Sequence, residues 1–504
     1  FETEQQLALV ILATDRDSYA QLSALITKAR RRCEKGQYAL RDEDLLHAVD
    51  GCVAIWLPLR QPENLSAQSW LQYALLVKAF PKGCWLGVNC CADGKDNLRV
   101  QLAEDFYQQT GMPIVAVGDV LMHVKDRLPM QQTLTAIRLG KTVEQLGYQR
   151  VSNAERVLKP RLELLYWYPE HWLAETLRIS SLCQFDLGSL QYEYPREVVP
   201  EGQSPKQYLR ELVEAGARWR WPEGINKNVR ETIEKELTLI NELHYESYFL
   251  TVYDIVKFAR SQHILCQGRG SAANSVVCFC LGVTEVDPAR IDVLFERFLS
   301  KERNEPPDID IDFEHERREE VIQYIFNKYT RARAAMTATV ITYRTRSAIR
   351  DVGKALGLEL SLLEKLSSDM AWWELADGFE ETLKRTGIDP KSHIVKLFLR
   401  LVHEIQNFPR HLSQHVGGFI ISRGLLSELV PVENASMPDR TVIQWNKDDI
   451  ETLGLLKVDV LGLGILTAIR RTLAFLTAHT NREWQLADLM HEDPNVYQML
   501  QKAD

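Results

Sequence analysis

The stretch Pro306-Pro307-Asp308-Ile309-Asp310-Ile311-Asp312-Phe313 decides how this 504-residue chain is read. Carboxylates alternate with apolar side chains, and a period of two marks a β-strand with two unlike faces. The pattern predicts Asp308, Asp310 and Asp312 on one face and Ile309, Ile311 and Phe313 in a core. Same-face positions lie roughly 6.6 Å apart at the backbone, within reach of a shared pair of divalent cations about 3.5–4 Å apart. Without a cation such a row repels itself. A solvated edge strand is the competing reading, but exposed edges mix Lys into their acidic rows. The expectation is a magnesium site for phosphoryl or nucleotidyl transfer. Strand geometry alone leaves open whether Asp308 and Asp310, or Asp310 and Asp312, are the converging pair.

Upstream, Ile264-Leu265-Cys266-Gln267-Gly268-Arg269-Gly270-Ser271-Ala272-Ala273-Asn274-Ser275 reads as a short strand, a glycine turn and a helix that buries Val276, Val277, Cys280 and Leu281. A helix amino terminus after a glycine turn offers free backbone N–H groups and a positive dipole end to an anion. Gly268, Arg269, Gly270 and Ser271 are therefore candidates for holding phosphate, Ser271 adding a hydroxyl and Arg269 a cation. No GK[ST] follows, so this is not a Walker loop, and a packing turn competes with the phosphate reading. The aspartate strand adds weight to the phosphate side. Arg297 and Arg303, just before that strand, are placed to balance carboxylates or hold phosphates.

Downstream, a helix is predicted with Val321, Ile322, Ile325, Phe326 and Tyr329 on its core face. Between Lys328 and Leu358 seven basic residues stand against Asp351 alone, in a chain whose formal net charge is −9. Arg346, Arg350 and Lys354 recur at helical spacing, with Ile349, Val352 and Leu356 facing inward. With Arg344 they form the best candidate for contact with a nucleic-acid backbone. His411 to Ser422 reads as a turn feeding a buried strand. In Leu455 to Leu463, alternation sets Lys457 and Asp459 on one face, opposite Val458 and Val460. Charges are rarely buried unless paired, so a third metal ligand beside a phosphate-holding lysine is expected here.

Composition bounds the rest. The length suits several domains, and no window approaches the roughly 18 apolar residues of a membrane span. Nine scattered cysteines without a CxxC pair predict a reduced, cytoplasmic setting and no structural zinc. The net acidity excludes a generally basic coat, so a polyanion site must be a local groove. Residues 1 to about 120 alternate apolar runs (Leu7 to Ala13, Cys52 to Leu59, Trp85 to Asn89, Pro113 to Val117) with helical patterns, an α/β layout. The last run leads into Gly118-Asp119-Val120-Leu121-Met122-His123, but His47 and His123 are the only histidines in the first 160 residues, too few for a histidine-rich metal cluster. Leu190 to Pro205, with three prolines and Gly202, reads as a connector, and a boundary near 190 follows. The chain opens at Phe1 without Met and stops mid-pattern at Asp504, which suggests a fragment.

Taken together, GRGS, LFERFL, ER, PDIDIDF, RSAIRDVGK, HVGG and KVDVLGL, in this order, resemble the bacterial C-family DNA polymerases, of the DNA polymerase III alpha-subunit type. GRGSAANSVVCFCLG and ERNEPPDIDIDFEHERREEVIQYI are most similar to the error-prone, translesion branch of that family. The resemblance implies a DNA-directed DNA polymerase linked to DNA damage, of mixed α/β and α+β multidomain fold. It implies a (β/α) barrel-like polymerase-and-histidinol-phosphatase (PHP) domain over 1–189 and a polymerase-beta-type nucleotidyltransferase palm over 190–338 and 413–466. A helical thumb would be inserted at 339–412, and fingers would start at 467–504. It makes Asp308, Asp310 and Asp459 the catalytic ligands of two Mg²⁺ ions, Gly270 and Ser271 the triphosphate cradle, and Arg303 and Lys457 its cationic supports. Primer–template DNA and deoxynucleoside triphosphates are the implied partners, with a sliding clamp and translesion accessory proteins, and no membrane. Two departures stand out: where many relatives read GDVHMH this chain has Leu121 in place of the first histidine, and nearly all of the fingers are missing.

Overall fold

The four apolar runs of the first 120 residues form four strands of one sheet. The computed structural model describes residues 7–46, 48–60, 67–190, 192–285, 309–368, 392–484 and 493–502, and the chain divides into two units. Unit one comprises residues 1–32, 37–186 and 340–413; unit two comprises 33–36, 187–339 and 414–504. The chain passes from unit two to unit one within one long strand and returns within another.

In unit one, β1 (Leu9–Leu12), β2 (Val53–Trp56), β3 (Cys84–Val88) and β4 (Ile114–Ala116) lie in that order, β1 antiparallel to β2 and the other pairs parallel. Helix Arg16–Arg31 connects the antiparallel pair, and helices Ala67–Ala79 and Asp96–Thr110 make the crossovers that the parallel pairs require. Trp56, Leu86, Phe106 and Trp172 fill the core. A second core of unit one is helical: Ile349 and Val352 of helix Thr345–Ala355 meet Phe398, Leu401 and Ile405 of helix His393–Ile405 and Met130 of helix Leu128–Leu139. The mixed α/β expectation holds.

Unit two is built on β5 (Cys266–Arg269), β6 (Ile309–Glu314), β7 (Ala334–Thr342), β8 (Pro409–Ile421), β9 (Val432–Asn434), β10 (Thr441–Ile443) and β11 (Val458–Leu463), in the order β5-β6-β11-β8-β7-β10-β9. On β6, Ile309, Ile311 and Phe313 are fully buried as the pattern predicts, and Asp310 is half-exposed, but Asp312 and Glu314 on the acidic face are buried as well. Helix Arg318–Arg333 packs on the sheet through Val321, Ile322, Ile325, Phe326 and Tyr329, all buried as their spacing predicts. Phe326 meets Phe419 of β8 edge to face. Among the described residues no helix is long and apolar enough to cross a membrane. All nine cysteines are free thiols.

Candidate active site

The register of the central strands assembles the charged residues. β6 and β11 are parallel neighbours with Asp310 opposite Asp459; the row continues to Arg269 on β5 and to Gly418 on β8. Adjacent strands lie about 4.8 Å apart and opposed residues share a face, so Asp310 and Asp459 converge although the sequence separates them widely. Tyr248, fully buried on helix Glu246–Ser261, secures this register. Its phenol accepts from Ile309 N and donates to the Lys457 carbonyl, both at 3.1 Å, tying the first residue of β6 to the residue that precedes β11.

Charge balance then distinguishes the carboxylates. Lys457 Nζ lies 2.5 Å from Asp459 Oδ2, and both side chains are buried, so the predicted same-face pair is present. Asp459 Oδ1 is also buried but has no hydrogen-bond partner among the described residues. Leaving such an acceptor unmatched costs about 1–3 kcal/mol. Arg269 Nε stands 3.4 Å from Asp312 Oδ2 and 3.9 Å from Asp310 Oδ2, so the arginine expected on phosphate rests here on the acidic row. Burial pushes the Asp312 carboxyl above the usual carboxylate range, opposed by Arg269. Beyond Asp312 the same face holds Glu314, fully buried and ion-paired with Arg470, a partnership the sequence pattern did not reveal. Glu314 Oε1, like Asp459 Oδ1, has no hydrogen-bond partner among the described residues, and carboxylate oxygens on adjacent strands are a donor set suited to a hard divalent cation such as Mg²⁺. Asp308 and Arg303, assigned to this site from the sequence, lie outside the described residues, as do Arg297 and His47.

The glycine turn differs from its expectation in one respect. Gly268 N donates to the Val283 carbonyl at 2.6 Å, Gly270 is left-handed at φ 61°, and Gly270–Asn274, with Ser271 in its backbone, is a 3₁₀ turn. The next helix, Val276–Cys280, buries Val276, Val277 and Cys280 as predicted, but its amino terminus is not open. Buried Glu236 accepts from Val276 N and Val277 N at 2.9 Å and from the Ser275 hydroxyl at 2.8 Å. An internal carboxylate occupies the anion position that the helix dipole favours. Burial raises the Glu236 carboxyl to about 7 against these hydrogen bonds. The helix amino terminus is thus filled from within the chain, and Gly268 to Ser271 lie ahead of it in the turn.

Two further sets of predicted residues lie in unit one. Arg344, Arg346, Arg350 and Lys354 are all exposed at the start and along one side of helix Thr345–Ala355, with Ile349 and Val352 buried and Leu356 half-buried. Near Leu121, Asp119 is ion-paired with Arg156, and Leu121 and His123 are exposed. The sequence reading passed over a tighter cluster after β3: one ligand-type atom from each of Cys91, Asp93 and Asp96 falls within 4.8 Å of the others. Buried Arg99 occupies that cluster. It donates to Asp93 and Asp96 and, through Nε, to the Leu59 carbonyl at 3.1 Å. Arg99 holds the Asp93 carboxyl down at about 2.

The family described as the bacterial DNA polymerase III alpha NTPase domain matches residues 207–462, just over half of the chain and inclusive of β5, β6 and the Asp459 segment of β11. The chain is 53% identical over 505 residues to a protein of Methylococcus capsulatus named "Error-prone DNA polymerase", covering 100% of this chain and 48% of that relative. Proteins of the same name from Dechloromonas aromatica and Vibrio vulnificus are each 51% identical over all of this chain and 49% of their own length. The chain thus spans about half the length of the curated relatives it matches. With the acidic row inside the matched segment, this chain belongs to the family of the bacterial DNA polymerase III alpha NTPase domain.

Proposed function

We propose that the chain is the catalytic part of an error-prone, template-directed DNA polymerase that extends a primer 3′ end with deoxynucleoside triphosphates in DNA-damage-related, translesion synthesis. The observation that carries this reading is the pairing of Asp310 with Asp459 in adjacent parallel strands, with Asp459 Oδ1 buried and unmatched. Asp310, Asp459 and, from the sequence, Asp308 would hold two Mg²⁺ ions, which when bound supply charge neutralisation at the reacting phosphate and a more acidic primer hydroxyl. Lys457 fixes the Asp459 carboxylate and offers its charge to the nucleotide. Arg269, with the turn from Gly268 to Ser271, is assigned to the triphosphate. Its long contacts to Asp310 and Asp312 are weak enough to exchange for phosphate oxygens. The sequence adds Arg303 to that group.

The remaining assignments follow the family. Residues 1–189 are read as a PHP-type domain, 190–338 and 413–466 as palm, 339–412 as thumb and 467–504 as the start of fingers. Exposed Arg344, Arg346, Arg350 and Lys354 are assigned to the phosphates of primer–template DNA. A sliding clamp, translesion accessory proteins and a cytoplasmic setting complete the proposal. The test is primer extension by the full-length protein carrying Asp310→Asn or Asp459→Asn. Loss of an electrostatic element of this kind removes about 3 kcal/mol or more of transition-state stabilisation, a drop of roughly a hundredfold or more. Primer–template affinity should persist and fall steeply with salt. Near-normal extension by either variant would sink the assignment.

A further inference from the structure

We infer that His415 is a positioning residue for Asp459, acting through a ring-nitrogen acceptor rather than as a cation ligand. This rests on the proposed cation role of Asp459. β8 pairs with β11 at only two registers, Val458 with Phe419 and Asp459 with Gly418. His415 lies three residues before Gly418, yet its Nδ1 accepts from Gly418 N at 2.8 Å and from Gly417 N at 3.3 Å. A straight strand rises about 3.3 Å per residue and would carry the third amide out of reach. The backbone is therefore bent back here, as at bulges that re-aim side chains beside active sites. Beyond Asp459 the strand partnership gives way to Arg318, whose guanidinium donates to the Val460 carbonyl at 2.9 Å and to the Val416 carbonyl.

The bend places the imidazole against the unmatched oxygen: His415 Nδ1 stands 3.8 Å from Asp459 Oδ1. A ring nitrogen that accepts amide N–H groups carries no proton, so the neutral ring has its hydrogen on Nε2. Its single lone pair is committed to those amides, which excludes Nδ1 both as a donor to Asp459 and as a cation ligand. Packing completes the box. A Cβ at Gly418 would stand 2.6 Å from Thr337 Oγ1, 2.9 Å from His415 Nδ1 and 3.0 Å from Asp459 Oδ1, so only glycine leaves that space to the carboxylate. Lys457 fixes one carboxylate oxygen, and the bend secured by His415 determines where the other points.

The test uses side chains that reproduce one ring nitrogen at a time. Asn carries its oxygen as many bonds from Cβ as His carries Nδ1, and Gln carries its nitrogen as many bonds from Cβ as His carries Nε2. Mn²⁺ affinity of the full-length protein is measured by electron paramagnetic resonance for wild type, His415→Ala, His415→Asn, His415→Gln and Asp459→Asn, with thermal melting alongside. His415→Ala should weaken Mn²⁺ binding by about tenfold, the lower range for a residue that orients a ligand. His415→Asn should restore affinity to within about threefold, and His415→Gln should not. Rescue by Gln instead of Asn, or wild-type affinity in a folded His415→Ala protein, overturns the inference. Should His415→Ala fail to fold, the contrast between Asn and Gln still decides. Unchanged Mn²⁺ affinity in Asp459→Asn defeats the cation reading of Asp459 and this inference with it. Weakening in Asp459→Asn but not in folded His415→Ala defeats the inference alone.

Discussion

Two acidic clusters in this protein differ in what neutralises them. In unit one, Cys91, Asp93 and Asp96 approach one another closely, yet Arg99, 2% exposed, reaches both aspartates, and Asp96 also accepts from Cys91 N and Ala92 N. In unit two, Asp310 and Asp459 share a row with a lysine on one oxygen of Asp459 and no hydrogen-bond partner on the other among the described residues. Proximity alone would select the first cluster as a metal centre. Electrostatics selects the second, because one buried guanidinium reaches both aspartates of the first cluster, whereas in the second Asp459 Oδ1 is left without a hydrogen-bond partner among the described residues.

The largest effect expected from this contrast is on stability. Arg99→Met should destabilise unit one by about 3 kcal/mol in denaturant unfolding, since it leaves the partly buried Asp93 and Asp96 without their cation and the Leu59 carbonyl without its donor. A change below about 1 kcal/mol would show that Arg99 is not what closes that cluster. A third carboxylate sharpens the rule. Glu236 is neutralised by helix amides instead of a cation, and Glu236→Gln, which retains only one acceptor oxygen, should cost about 1–3 kcal/mol. Its folded value of about 7 lies above the ordinary 4.5, so between those values the folded state holds more protons than the unfolded one. The contribution of Glu236 to stability is therefore full below about pH 4.5 and is lost as pH rises through about 7. Wild type minus Glu236→Gln should display that slope, and a flat difference would contradict the burial argument. The smallest effect belongs to the open cluster: Asp310→Asn, half-exposed among like charges, should shift stability by less than about 1 kcal/mol while removing activity.

What the sequence made legible was local. Alternation gave the faces of β6 and the Lys457–Asp459 pair, and helical spacing gave the buried side of Arg318–Arg333 and the basic side of Thr345–Ala355. The contacts that define the site are long-range and leave no periodic trace. Nothing near Asp310 announces that Asp459 lies opposite it, that Tyr248 ties their strands, or that Glu236 closes the helix after the glycine turn. Arg99 was nearer to being readable, since it follows Asp96 by one helical turn, but an i,i+3 pair more often marks a solvated face than a filled cluster. His415 was visible in the HVGG segment without its role, because a strand pattern does not encode a bend.

The measurement closest to the central claim is a Mn²⁺ titration of the full-length protein, followed by electron paramagnetic resonance, for wild type, Asp459→Asn and Asp96→Asn. The account predicts that Asp459→Asn weakens Mn²⁺ binding by at least about tenfold, while Asp96→Asn binds as wild type does. Mn²⁺ binding that survives Asp459→Asn and disappears with Asp96→Asn would reverse the assignment of the two clusters.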